Sequence, residues 1–185
     1  MQWMRIVVLM IAMLSLSACA GQRGSGTYLV TTKGAYLLDT GDVLRITVFG
    51  DEELSNLYAV GDDGTIAFPL VGVIPARGAT TQIAASRVAA ALANGYMRSP
   101  DVAVEVAQYR PFFIQGEVVN SGQYAYVYGM TVRAAISTAG GFTDTADRNR
   151  AVVYRLQGDQ MVKGIVDLDF PIFPGDTLVI QDRWI

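Results

Sequence analysis

One cysteine, no histidine, and 17 acidic against 14 basic side chains make up the reactive inventory of this 185-residue chain. Lacking histidine, it has neither the commonest general base nor the commonest metal ligand. The nearest approaches to paired carboxylates are Asp62 with Asp63, and Asp167 with Asp169. Two acids that cleave a glycosidic bond face each other across it, about 5 to 10 Å apart and usually on separate elements. Neighbours in a turn do not meet that geometry. The stretch GDDGT at 61–65 is too short for a calcium loop and lacks the rest of its ligand pattern. Gly24-Ser25-Gly26 precedes no strand and opens no helix, so it makes no phosphate cradle. The residues therefore predict no catalytic group, no metal and no cofactor.

That leaves the thiol of Cys19. Before it run a positive start with Arg5, an apolar stretch from Ile6 to Leu14, and small residues. This is the layout of an export signal, too short for a membrane span of about 20 apolar residues. Leu16, Ser17, Ala18 and Cys19 resemble the lipobox of bacterial lipoproteins. The resemblance implies that the Cys19 thiol is diacylated, that residues 1–18 are removed, and that the new amino terminus is acylated as well. Each buried methylene of such an anchor adds about 0.8 kcal/mol, so several chains on one residue hold the protein to its membrane. The alternative is a cysteine that merely falls in an ordinary cleavage region. Ala20 stands where an aspartate would favour inner-membrane retention in such lipoproteins, which points to the outer membrane. AGQRGSGT, residues 20–27, has the composition of a flexible tether, and residues 19–35 are read as the lipidated cysteine and its linker.

Without a second cysteine, an exported chain has no internal disulfide to rely on, and packing or subunit contacts must stabilise it. Loss of Arg5 with the signal takes the formal net charge from −3 to −4. With that balance and no basic run, nucleic acid is not expected as a partner.

The elements that must carry the surface are short. Val43–Phe49 alternates apolar and polar residues after a turn at Thr40, Gly41 and Asp42. Leu57–Val60 and Thr65–Phe68 flank Asp62, Asp63 and Gly64 as a predicted hairpin, and a strand over Val71–Ile74 follows. Thr80–Asn94 changes to helical period, with Thr80 placed to cap its start and Gly95 to end it. Asp101–Gln108 alternates again. The plan then restarts. Strands are expected over Phe112–Val118, Gln123–Val127, Ala151–Leu156, Met161–Val166 and Thr177–Ile180, with a short helix over Thr131–Ala139 stopped by Gly140 and Gly141. The fold class expected is α+β, in two small units of short strands with two packed helices.

Two surface features are candidates for contact. Tyr124, Tyr126 and Tyr128 alternate along the predicted strand, which would put three rings on one face. Such a face suits sugar stacking or a subunit contact, and it also fits ordinary strand composition. Arg148, Asn149 and Arg150 form the most basic local cluster, either at a subunit boundary, against an acidic polymer, or simply solvated. Gly41-Asp42 and Gly175-Asp176 recur before apolar strands, where aspartate is expected to bond the backbone just beyond the turn.

YLLDTGDVLRITVFGDEELS and VGDDGTIAFPLVGVIPARGAT resemble the polysaccharide biosynthesis/export domain of Wza-type outer-membrane export lipoproteins. FFIQGEVVNSGQYAYVYGMTVRAAISTAGGFTDTADRNRAVVYR, with FPGDTLVI, is similar to the β-grasp SLBB domain that follows it in that family. The resemblance implies an export domain over 36–108 and an SLBB domain over 109–185. It implies a ring of identical subunits, lipid-anchored at the outer membrane and facing the periplasm, through which capsular or extracellular polysaccharide passes. It also implies an inner-membrane polysaccharide copolymerase as docking partner. Larger members add a C-terminal amphipathic helix that crosses the membrane. Here QDRWI follows Ile180, too short for a span, so the resemblance is to the short form, with a separate outer-membrane β-barrel expected to complete the path. Two other readings stay open: a monomeric lipoprotein that binds glycan or regulates assembly, and an enzyme that trims polysaccharide.

Overall fold

The computed structural model describes residues 34–158 and 160–184. The predicted export signal, Leu16, Ser17, Ala18, Cys19 and the predicted linker before Gly34 lie outside the described residues. Among the described residues there are ten strands and two helices, the α+β class expected. They gather around two separate apolar clusters.

In the N-terminal unit, β1 (Val43–Val48) lies between β2 (Asp51–Ala59) and β5 (Val102–Gln108) in a three-stranded antiparallel sheet. Leu44, Ile46 and Val48 of β1 are buried, while Arg45 on the other parity is exposed. The period-2 pattern has decided which face is covered. Helix α1 (Thr81–Ala93) seats Ala84, Val88 and Leu92 in that core. Its first turn is held by the Thr80 hydroxyl, which accepts from the Ile83 amide at 3.3 Å.

One expectation is corrected here. Leu57–Val60 and Thr65–Phe68 do not form a hairpin sheet. Instead β3 (Thr65–Phe68) pairs with β4 (Gly72–Pro75), and only an isolated bridge joins Val60 to Ile66. The Asp62-Asp63-Gly64 turn is present, since Gly64 donates to the Gly61 carbonyl at 2.8 Å. However, β2 spends its ladder on β1, as far back as Asp51 opposite Val48. The polar stretch Asp51–Asn56 gives no alternation to read, yet it is strand because β1 supplies its partner.

In the C-terminal unit a five-stranded sheet runs in the order β7-β6-β10-β8-β9. It comprises β6 (Phe112–Gly116), β7 (Gly122–Tyr124), β8 (Arg150–Gln157), β9 (Gln160–Asp167) and β10 (Thr177–Ile180). Strands β6 and β10 are parallel and the other pairs antiparallel. Counted within the unit, this order is 2-1-5-3-4, with first and last strands parallel at the centre, the β-grasp arrangement. Helix α2 (Val132–Thr138) places Val132, Ala135 and Ile136 in the core with Phe112, Ile114, Leu178 and Ile180.

Glycine is required at Gly116, where β6 passes beside β10. Its φ is +90° and an added Cβ would lie 2.1 Å from the Ile180 carbonyl oxygen. The next amide, of Glu117, donates to that same oxygen at 2.9 Å. The Glu117 carboxylate in turn accepts from the hydroxyls of Thr143 and Thr145, and these two bonds hold it below the ordinary carboxylate range. Thus the Gly-Glu-Val step and the later Gly-Phe-Thr-Asp-Thr stretch are two halves of one joint.

Candidate functional site

Among the described residues, a dense polar construction lies where the two units meet. Asp42 is fully buried. Its carboxylate accepts from the Tyr36 hydroxyl at 2.7 and 2.9 Å, from the Asp39 amide at 2.9 Å, and from the Arg110 amide at 3.0 Å. The Arg110 guanidinium stands 3.5 Å from Asp42 and 3.5 Å from Asp39, and donates to the Tyr36 hydroxyl at 2.9 Å. Arg77 extends the row with its Nε 3.0 Å from Asp39. Cation and anion alternate along Arg77, Asp39, Arg110 and Asp42, so every buried charge has an opposite neighbour.

The C-terminal unit repeats the device. Asp176 is buried, accepts the Phe173 amide at 2.7 Å, and receives both Nε and Nη2 of Arg155, at 2.8 and 2.7 Å. Arg155 lies 4.3 Å over the Phe173 ring and 5.8 Å over Phe170, and donates to the Pro171 carbonyl at 3.3 Å. Both Gly-Asp turns therefore work the same way. In each, the aspartate reaches back to the amide three residues earlier, not forward as expected, and pairs with an arginine from elsewhere in the chain.

Sequence reasoning missed both arginines. Arg155 had a signal: it shares strand parity with the buried Ala151 and Val153, and a charge on a core face needs a buried partner. Arg110 had none, since it stands between strands with no periodicity around it.

Three rings cross the junction. Tyr36 meets Tyr109 edge-to-face at 4.9 Å, and Tyr109 meets Tyr126 in the same way at 5.4 Å. Burial pushes the phenols of Tyr36, Tyr109 and Tyr126 above their ordinary value of 10.0, and for Tyr36 the hydrogen bond to Asp42 adds to it. A phenol raised in the folded state favours folding below its unfolded pKa, and that contribution is lost as pH rises through the folded value. Stability is therefore expected to hold up to about pH 10 and to fall above it, with tyrosinate absorbance rising in step with loss of structure. If all nine tyrosines ionised as one class near pH 10 while the protein stayed folded, this junction would be misdescribed.

The predicted contact residues are dispersed. Tyr124, Tyr126 and Tyr128 do not share a strand face, because β7 ends at Tyr124 and the chain turns through Gly129 at φ +81°. Tyr124 stacks on Phe112 at 5.9 Å and its hydroxyl donates to the Asn120 carbonyl. Tyr126 is buried, its hydroxyl accepting the Gly129 amide at 3.3 Å, and Tyr128 alone projects, 76% exposed. Arg148 is exposed, whereas Arg150 pairs with Asp147 at 3.2 Å. Asp147 also takes the Asn149 amide at 2.9 Å, and this bond first, then Arg150, keeps its carboxyl low.

The acidic pairs serve turns. Asp63 accepts the amide and hydroxyl of Thr65, Asp167 accepts the Asp169 amide, and Asp169 pairs with Arg133 at 3.0 Å. Among the described residues no group of three or more His, Cys, Asp or Glu side chains is placed to hold a metal ion. No helix among them is long and apolar enough to cross a membrane.

Residues 30–107 match the polysaccharide biosynthesis/export protein family, and residues 111–164 match the SLBB domain. The chain thus carries a polysaccharide biosynthesis/export domain followed by an SLBB domain. Among relatives of the family, the exopolysaccharide production protein ExoF of Rhizobium meliloti (strain 1021) is 39% identical over 90 residues, covering 48% of this chain and 21% of ExoF. The EPS I polysaccharide export outer membrane protein EpsA of Ralstonia nicotianae is 26% identical, and that of Ralstonia solanacearum 29%. Each of these two matches covers 80% of this chain and 48% of the relative, so the chain spans about half the length of EpsA. The junction of Tyr36, Asp42 and Arg110 thus joins the export domain to the SLBB domain.

Proposed function

We propose that this protein is a subunit of a periplasm-facing ring, lipid-anchored to the outer membrane through Cys19, that exports extracellular polysaccharide. The observation that carries the reading is the export domain followed directly by an SLBB domain, in a chain whose relatives include named export outer membrane proteins. The subunit acts by geometry. Two small domains with satisfied buried charges form a stiff wall segment, and copies packed around an axis enclose a passage for a hydrated glycan. A closed ring is the economical way for one short chain to build such a wall. An inner-membrane copolymerase delivers polymer to it.

The test is genetic. Deleting the gene is expected to abolish surface polysaccharide, with rescue by the wild-type gene but not by Cys19→Ser. Detergent-extracted protein is expected to size as a large assembly. Normal polysaccharide in the deletion strain would overturn the export reading. A monomer on sizing would favour a glycan-binding lipoprotein instead.

A further inference from the structure

We infer that Arg110 is a clamp that fixes the export domain and the SLBB domain as one rigid arm. Separate domains in one chain move relative to each other by default unless their contact is large or specifically held. Here the linker itself is held from both sides. Its Arg110 amide and guanidinium both engage Asp42 of the export domain. On the other side the linker's Pro111 carbonyl accepts the Gly175 amide at 2.9 Å, and the Phe113 amide donates to the Asp176 carbonyl at 2.9 Å.

The two Gly-Asp turns close on the arginine like jaws. A Cβ on Gly41 would stand 3.5 Å from the Arg110 Cβ, and one on Gly175 would stand 2.9 Å from its Nε. A side chain at Gly175 would occupy the space the guanidinium crosses. Only 24% of the Arg110 side chain is exposed, so its attraction to Asp42 and Asp39 is screened little by salt. Each domain keeps its own core without this contact, so the clamp determines orientation more than folding. The angle between the domains is therefore set within each subunit before any assembly.

Spin labels on Ser86→Cys in α1 and Ser137→Cys in α2, both exposed positions, report the interdomain distance by double electron–electron resonance. The full chain carries Cys19→Ser in this measurement. One narrow peak is expected for the otherwise wild-type protein. Arg110→Ala is expected to lose that peak to a broad distribution while circular dichroism keeps its strand and helix signal, and Arg110→Lys, which keeps the charge, is expected to retain most of it. A broad distribution with Arg110 in place, or an unchanged narrow peak in Arg110→Ala, would overturn the clamp. Equal broadening in Arg110→Lys would overturn its assignment to charge. Should Arg110→Ala not fold, Tyr36→Phe decides: it removes only the hydroxyl between Asp42 and Arg110, broadening supports the clamp, and an unaltered peak refutes it.

Discussion

Gly116→Ala is expected to unfold the SLBB sheet at its centre. The methyl would be placed 2.1 Å from the Ile180 carbonyl oxygen, on backbone with φ +90°. Neither problem relaxes cheaply. The obstacle is main chain in the neighbouring strand, already bonded to Glu117, and the dihedral itself is strained for an L side chain. Strain of about 1–3 kcal/mol and a further 1–3 kcal/mol for overpacking give a loss of about 2–6 kcal/mol. Thermal unfolding should show a midpoint lowered by about 10 °C or more. Gly122→Ala is the control. Its Cβ meets nothing closer than Tyr124 at 4.0 Å, so its effect should stay within about 1 kcal/mol. Similar midpoints for the two variants would show that β6 and β10 do not approach as described.

Asp176→Ala is expected to be comparably severe. It strands Arg155, whose side chain is 12% exposed, among Phe170, Phe173 and Pro171 with no anion. Breaking a buried pair from one side costs about 3–5 kcal/mol, since the remaining charge is left uncompensated. The surface pair Arg133–Asp169, with side chains 59% and 77% exposed, sets the contrast. Arg133→Ala should leave the midpoint close to that of the unmodified protein. Urea titration of the two variants measures the difference. A double variant replacing Arg155 and Asp176 by well-packed apolar residues should recover much of the loss, because the cost belongs to the orphaned charge. If Asp176→Ala unfolds no earlier than Arg133→Ala, the pair is not buried.

Most of the elements could be read from local signals because their causes are local. Thr80 caps α1 as its position suggested, its hydroxyl taking the third amide, and Thr131 caps α2 in the same way. Alternation along β1 announces which side chains enter a core, since a strand's side-chain period is two residues. Where the cause lies in a distant partner, local signals fail. Asp51–Asn56 is strand because β1 lies beside it, and Tyr126 turns inward because β7 stops two residues earlier. The three tyrosines were one stripe in the sequence and have three different environments in the fold.

The same division runs through the functional reading. By itself the sequence determined the α+β class, the likeness to polysaccharide export proteins and the absence of histidine chemistry, because each depends on residue identity and order along the chain. It also singled out the two Gly-Asp turns, whose glycines carry φ values of +89° and +84°. Only the tertiary structure decided what those aspartates do. Each finds an arginine far along the chain, at Arg110 and Arg155, and a buried charge cannot be left alone in a medium that solvates it poorly. Those pairings are made by folding across sequence separations that no local pattern records.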